Sequence, residues 1–356
     1  MTSANRGRRR PVPHVARSGR QPGAGHTGDV HDERDRPASE PPVVAIVGPT
    51  AVGKSDLALA LARRLSAEVV NADAFQLYRG MDIGTAKVPP AERVDVPHHQ
   101  LDVLDIHQDA SVATYQREAR AAFDGIRRRG RHRVLVGGSG LYVRAALDRL
   151  DIPPTDPAVR ATLESELARG GLEPLRDRLA LADPAAAAVI HPANARRIVR
   201  ALEVIELTGR PFSATMPIRR FAVPALLVGL RAPRAELDER IERRTRAMWA
   251  TGMLKEVSVL MDAGLGETPT ASRAVGYPQA IAQLRGELTG TEAIADTVRA
   301  TRRLVRRQER WFGADPRVHW FDASPARAGD VLLARVLELL QWHARTVPWP
   351  GGPSTG

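Results

Sequence analysis

The sequence predicts an α/β fold, a doubly wound parallel sheet with an inserted helical domain, and three observations predict it. Short, wholly apolar, β-branched runs such as Val43-Val44-Ala45-Ile46-Val47 recur between amphipathic stretches, as strands covered on both faces by helices do. The first of these runs passes through a glycine-rich loop straight into a run of helix formers ending at Leu65. Between residues 151 and 218 there is no convincing strand, only helical segments, so this stretch reads as an insertion between two parts of the core. The expected organisation is a disordered basic tail over 1–42, the first part of the core over 43–150 and the helical insertion over 151–218. The second part of the core with C-terminal helices follows over 219–345, then a disordered tail over 346–356.

The loop after Val47 reads Gly48-Pro49-Thr50-Ala51-Val52-Gly53-Lys54-Ser55 and matches G-x-x-x-x-G-K-[ST], so the core is of the P-loop NTPase-like kind. Glycines let the backbone wrap an anion, and amide N–H groups at a helix N-terminus point at it. Lys54 adds a mobile positive charge, and Ser55 offers a hydroxyl to a magnesium ion. Lys54 is one of only three lysines, with Lys87 and Lys255, which makes a chance lysine after Gly53 a poor explanation. The motif does not say whose phosphates it holds: a nucleoside triphosphate or any diphosphate ester fits the same cradle.

Size and composition bound the rest. A chain of 356 residues, 43% of them hydrophobic, has material for two domains or for one large domain carrying an insertion. No apolar run approaches a bilayer span, and no cleavable leader pattern opens the sequence, so a cytoplasmic protein is expected. The absence of cysteine excludes disulfides and thiolate zinc sites. Net charge is +11, and a basic excess of that size favours a polyanionic partner such as nucleic acid. A coding bias toward arginine explains the scarcity of lysine but not the net excess.

Taken in order, 1–42 shows no apolar periodicity and carries Arg8-Arg9-Arg10, the pattern of a solvated tail. Leu57, Leu61 and Leu65 give the first helix its apolar stripe. A second strand at Glu68–Asn71 leads to Asp73. Ligands of doubly wound sheets sit beyond strand carboxyl ends, so Asp73 is expected beside the phosphate loop, with a helix cap as the plain alternative. His98-His99 lacks a third ligand at metal spacing and reads as structural. A helix over Ala113–Arg129 and a third strand at Arg133–Val136 end in Gly137-Gly138-Ser139-Gly140, a second glycine-rich turn with a hydroxyl at its mouth, before a helix over Leu141–Leu150. No Asp follows this third strand, which weakens a reading as an ordinary ATPase.

The insertion should hold helices near Asp156–Arg169, Leu172–Ala180, Pro184–Ile190 and Asn194–Thr208. In the last, Arg196, Arg197 and Arg200 fall on one arc and Ile198, Val199, Leu202 and Ile205 on the other. A basic face without interleaved acids suits a phosphate backbone, against the plain alternative of a solvated face. Pro224–Leu230 returns to strand, followed by helices at Arg234–Thr251, Leu254–Ala263, Gln279–Arg285 and Thr291–Phe312. A last strand at Val318–Phe321 and a closing helix at Val331–His343 complete the core. The Thr291–Phe312 helix places Arg302, Arg303, Arg306, Arg307 and Arg310 on one side, with Leu304, Val305, Trp311 and Phe312 expected opposite.

These blocks together resemble one family, the tRNA dimethylallyltransferases (tRNA isopentenyltransferases) of bacterial type, over roughly Val43–Asp322. The resemblance rests on Gly48–Ser55, Asp73–Tyr78, Met81–Lys87, Pro97–His99, Val136–Tyr142, Arg196–Glu203, Val275–Tyr277 and Thr301–Phe312 in this order. It implies that the loop holds the diphosphate of dimethylallyl diphosphate, with Mg2+, while the adenosine 3′ of the anticodon attacks the prenyl carbon through its exocyclic amine. It further implies Asp73 as general base, Ser139, usually Thr in the family, as a hydroxyl contacting the substrates, and Ser55 as the magnesium ligand. The same resemblance implies that Asp73, Ala74, Phe75, Gln76, Ser139, Arg160, Arg196, Arg197, Ile198, Val199 and Arg200 meet the tRNA anticodon stem-loop, joined by Arg273, Gly276 and Tyr277. Departures are Ala74 where Ser is common, Val88 where Pro often stands, no cysteine-containing zinc finger, and an N-terminal extension without counterpart. The expected protein is a monomer. The rival readings are a P-loop small-molecule kinase, an isopentenyltransferase acting on free adenine nucleotides, and a non-catalytic RNA-binding protein on the same fold.

Overall fold

In the computed structural model, residues 40–215, 219–267, 270–324 and 329–346 are described; the tails expected over 1–42 and 346–356 lie almost wholly outside them. Six parallel strands form one sheet in the order β3-β2-β4-β1-β5-β6. They are β1 (Val43–Val47), β2 (Ala67–Asn71), β3 (His98–His99), β4 (His132–Gly137), β5 (Ala225–Arg231) and β6 (Val318–Asp322). β1 is central, in register with β4 on one side (Ile46 opposite Val136) and β5 on the other (Ile46 opposite Val228). The period-two alternation of β1 feeds two cores. Val44 and Ile46 pack with Leu57, Leu61, Leu237 and Val305 on one face; Val43, Ala45 and Val47 pack with Tyr115, Phe123 and Ala146 on the other.

The flanking helices are α1 (Lys54–Leu65), α2 (Val112–Arg128) and α3 (Gly140–Leu147) in the first half of the core. The insertion supplies α4 (Pro157–Gly170), α5 (Glu173–Ala182), α6 (Pro184–Val189) and α7 (Ala195–Thr208). The second half adds α8 (Arg234–Thr251), α9 (Met253–Asp262), α10 (Tyr277–Leu284), α11 (Gly290–Gly313) and α12 (Asp330–Thr346). Their ends obey local chemistry. Asn194 caps α7 through its side chain and left-handed Gly209 stops it, while Thr289 and Glu292 close a reciprocal capping box on α11. The insertion has its own apolar core of Leu163, Leu175, Leu179, Ile198, Val199 and Leu202. The chain enters and leaves it through segments paired by an antiparallel bridge between Asp148 and Phe221.

The strand order places the carboxyl ends of β2, β4 and β1 side by side. All three expected functional segments therefore converge on one edge of the sheet, where the order reverses around β1.

Candidate active site

The phosphate loop runs from Gly48 into α1 with Gly53 at φ 99°, left-handed backbone that a side chain would strain. Lys54 donates from Nζ to the Pro49 carbonyl at 2.7 Å. Burial lowers its pKa to about 8; the Asp73 carboxylate pulls the other way, and the Arg244 guanidinium adds to the lowering. A phosphate anion in the cradle would offset this desolvation and favour the charged form of Lys54.

Asp73 lies two residues beyond β2, where the sequence placed it. One carboxylate oxygen accepts the Phe75 N–H at 3.0 Å, and the Asn71 side chain accepts the Asp73 N–H at 2.9 Å. Asn71 in turn donates to the Asp73 and Gln100 carbonyls, and Tyr115 donates its hydroxyl to the Asn71 carbonyl at 2.8 Å. This ladder fixes the carboxylate at the wall of the cavity, with one oxygen unpartnered among the described residues. Ser139, after β4, accepts the Ala74 N–H on its hydroxyl at 3.3 Å, so the two turns are stitched together. Ala74 thus keeps a backbone contact to Ser139 where the family's usual hydroxyl is missing.

Two residues that sequence reasoning missed complete the site. Gln308 of α11, 7% exposed, accepts the Thr50 N–H at 2.9 Å and donates to the Gly138 carbonyl at 3.1 Å, tying the two glycine-rich turns together. Arg244 of α8 donates to the Thr50 hydroxyl at 3.4 Å; burial lowers its pKa while Asp73 and Asp56 raise it. A cavity of about 90 Å³ is lined by Thr50, Ala51, Asp73 and Arg244, by the apolar side chains of Phe75, Ile241, Met248, Val275 and Leu304, and by Thr85, Thr245, Thr297 and Thr301. One water takes roughly 10–15 Å³ on this measure, so the space admits a group of several heavy atoms.

A family model described as IPP transferase matches residues 76–315, and one described as isopentenyl transferase matches 41–108. The tRNA dimethylallyltransferase of Thermobifida fusca is 58% identical over 301 residues, covering 83% of this chain and 94% of that one. The chain belongs to the tRNA dimethylallyltransferase family. The family's enzyme from Salinispora arenicola is 57% identical over 303 residues, covering 85% and 87%. The crystal structure of the full-length tRNA isopentenylpyrophosphate transferase from Bacillus halodurans, 38% identical, superposes with a TM-score of 0.63 over 85% of this chain and 97% of that one. A eukaryotic dimethylallyltransferase acting on tRNA, 25% identical, gives 0.73 over 86% and 81%.

Within this tRNA dimethylallyltransferase-family fold, several residues expected at the RNA are placed otherwise. Ile198 and Val199 are 2% and 4% exposed in the core of the insertion, and their side chains have no route to RNA. The basic face of α7 is not free of acids. Fully buried Glu203 accepts from Arg160 at 2.7 Å, from Arg200 at 2.8 Å and from the Asp156 N–H at 3.1 Å, while Arg200 also donates to the Pro153 and Pro154 carbonyls. Arg160 and Arg200 thus pair a buried carboxylate, which must be compensated, while the Arg160 side chain stays 41% exposed. Arg196 and Arg197 remain exposed without a side-chain partner among the described residues. Tyr277 is fully buried, its hydroxyl donating to Glu256 at 2.7 Å, and Gly276 caps α10 beneath the surface; only Arg273 of that group is exposed. Gln76 donates to the Thr85 carbonyl at 3.1 Å, and Phe75 lines the cavity. On α11, Arg302 pairs with Asp238 at 3.3 Å, and Trp311 is 45% exposed rather than packed on the apolar side. Of the two histidines, His99 bonds Glu68 at 2.7 Å and His98 the Val96 carbonyl at 2.7 Å.

Proposed function

We infer that this chain transfers a dimethylallyl group from dimethylallyl diphosphate to N6 of the adenosine 3′ of the anticodon in tRNA, with release of diphosphate. The observation that carries this reading is that Thr50 and Ala51 of the phosphate loop line one mostly apolar cavity together with Asp73. Loop amides, Lys54 and Arg244 would hold the diphosphate; Ile241, Met248, Val275 and Leu304 would enclose the five-carbon chain. The adenine N6 lone pair is delocalised into its ring and is a poor nucleophile, so a base at hand helps. In the step, the N6–C bond forms as the C–O bond to diphosphate breaks. The N6 proton passes to Asp73, and the bonding pair leaves with the diphosphate, whose growing charge Lys54, Arg244 and the loop amides stabilise. Ser139, hydrogen-bonded to the Ala74 backbone, stands where a hydroxyl can orient the incoming base.

Magnesium fits the residues present. The Ser55 hydroxyl has no partner among the described residues, and Mg2+ characteristically takes one or two protein oxygens with the rest from substrate phosphates and water. When bound, it would neutralise diphosphate charge. The target base must leave its stack to reach the cavity, which is least costly in a single-stranded loop such as the anticodon loop. The reading is completed by a monomeric, cytoplasmic enzyme; no helix among the described residues is long and apolar enough to cross a membrane. The kinase and free-nucleotide alternatives are not favoured, since the matched relatives are named for action on tRNA.

The test is mass spectrometry of nucleosides from unmodified tRNA incubated with the protein, Mg2+ and dimethylallyl diphosphate. Prenylated adenosine is expected in the anticodon-loop fragment alone. Modification elsewhere in the tRNA, or of free AMP in preference to tRNA, would overturn the assignment.

A further inference from the structure

A second cavity, of about 710 Å³, adjoins the first, and Arg244 and Met248 line both. Four residues apart on α8, these two stand one above the other on one side of the helix. The turn after Met81 continues the same wall: Gly84 and Thr85 line the first cavity, Ile83 and Ala86 the second. Beyond the wall, Val88, Pro89 and Ala247 give the second cavity apolar surface. Its charged lining is paired off, Lys87 with Asp82 at 2.6 Å and Asp102 at 2.5 Å, Arg93 with Asp102 at 3.6 Å and Arg79 with Asp105 at 3.1 Å.

The parts of this wall are held differently. Glu256 of α9 accepts the N–H groups of Asp82, Ile83 and Gly84 at 3.0, 2.7 and 3.2 Å, and the Tyr277 hydroxyl at 2.7 Å, so one carboxylate pins the turn. A Cβ on Gly84 would fall 2.5 Å from the Tyr277 ring, which leaves the turn no room to widen. Arg244 is tied to the phosphate loop through the Thr50 hydroxyl. Met248 is held by packing alone, against the apolar cluster that includes Met253 and Tyr277, so shortening its side chain breaks no hydrogen bond of the site.

The diphosphate cradle cannot choose between isoprenoids. Every allylic diphosphate presents the same head to the loop, and a cradle that reads charge accepts five-carbon and ten-carbon esters alike. Selection has to come from the far end of the chain. One helical turn, about 5.4 Å, separates Arg244 at the phosphate loop from Met248, which is the length scale of a single isoprene unit.

We propose that Met248 sets the length of isoprenoid the enzyme transfers. Its side chain closes the first cavity behind a five-carbon chain, and cutting it back lets a ten-carbon chain pass into the second cavity. The proposal rests on the prenyl-transfer reading of the site and adds to it the residue that selects among allylic diphosphates. With the longer ester the bonds made and broken are unchanged. N6 bonds to C1, the C–O bond breaks with its electron pair leaving on diphosphate, and the N6 proton passes to Asp73.

The experiment compares kcat/KM for dimethylallyl diphosphate and for geranyl diphosphate, its ten-carbon counterpart, on an unmodified anticodon stem-loop, with products read by mass spectrometry. Wild type should prefer the five-carbon ester by about a hundredfold or more, since each methylene a pocket cannot house costs about tenfold or more. Met248→Ala should raise kcat/KM for geranyl diphosphate by about ten- to a hundredfold and raise KM for dimethylallyl diphosphate. Two further variants locate the room gained. Leu304→Ala enlarges the first cavity alone and should gain nothing with the longer ester. Ala247→Phe fills only the second cavity. It should cancel the gain of Met248→Ala and, by itself, leave dimethylallyl transfer unchanged. Met248→Val, a smaller cut, should show part of the gain and decides the matter if Met248→Ala melts early. Equal use of both esters by wild type, or no gain in either Met248 variant, would overturn the proposal. So would a gain matched by Leu304→Ala or left intact by Ala247→Phe. A wild-type protein that transfers no dimethylallyl group to the stem-loop would instead bring down the reading on which the proposal rests.

Discussion

At the residue scale, the proposed chemistry depends on how Asp73 and Lys54 are held. Asp73 is locked by its own turn and by Asn71, which Tyr115 locks in turn. Replacing it by Asn keeps the turn's acceptor oxygen while removing the proposed base. Asp73→Asn is expected to lower kcat by roughly a hundredfold or more, the scale of a lost general base, with tRNA affinity nearly unchanged. A variant that binds tRNA poorly but turns over normally once saturated would show that the carboxylate serves binding instead. Lys54 gives a pH dependence. With its pKa lowered to about 8, the free enzyme loses the ammonium charge as pH rises through that value. Hence kcat/KM for dimethylallyl diphosphate is expected to fall tenfold per unit above pH of about 8, while kcat stays level further up, since bound diphosphate favours the charged form. A flat kcat/KM to pH 9.5 would contradict this.

The placement of both residues was legible from sequence because the signals are local: a motif of eight positions and a carboxylate just past a strand. Arg244 and Gln308 were not. They reach Thr50 across 194 and 258 residues of chain, and nothing distinguishes them from their neighbours among the many arginines of α8 and the Arg306-Arg307-Gln308-Glu309-Arg310 run. Only packing selects which turn of a helix faces the loop.

At the element scale, the strands and helices of the core fell within a few residues of their expected bounds, since capping residues, glycine stops and apolar periods encode them directly. β1 and α8 coincide with expectation, and the insertion's helices follow the predicted segments closely. The two-residue β3 escaped notice, being too short to show a period. Helix faces were read less well. An amphipathic wheel shows that α7 has a basic arc, but not that Glu203 lies under it and claims Arg160 and Arg200. Nor does it show that glycine at 140 would leave Trp311 at the surface. α11 is the element that joins fold to site, through Gln308. Gln308→Ala strands the Thr50 N–H and the Gly138 carbonyl, at a cost of about 1–3 kcal/mol. It should lower the thermal midpoint and raise KM for dimethylallyl diphosphate more than it lowers kcat. Unchanged melting and KM would show that the tie between the two turns is idle.

At the scale of the molecule, the order β3-β2-β4-β1-β5-β6 explains why segments far apart in sequence make one site. The second strand in sequence lies two places from the first in the sheet, with β4 between, so Asp73, Ser139 and the loop share one edge. That juxtaposition could be anticipated from the rule for doubly wound sheets; the identity of the phosphate ester could not, because a cradle reads charge and not what is attached to it. The net charge of +11 suits a polyanionic partner, and Arg303, Arg306, Arg307 and Arg310 of α11 are exposed. The central claim is that the loop grips the leaving group of an isoprenoid so that a flipped adenine can take its carbon chain. The most direct measurement is the stoichiometry of released inorganic diphosphate against prenylated adenosine, with tRNA, Mg2+ and dimethylallyl diphosphate and no nucleoside triphosphate present. One diphosphate per modified adenosine is expected, with none released when ATP replaces the isoprenoid; release of phosphate from ATP with the RNA left unmodified would contradict it.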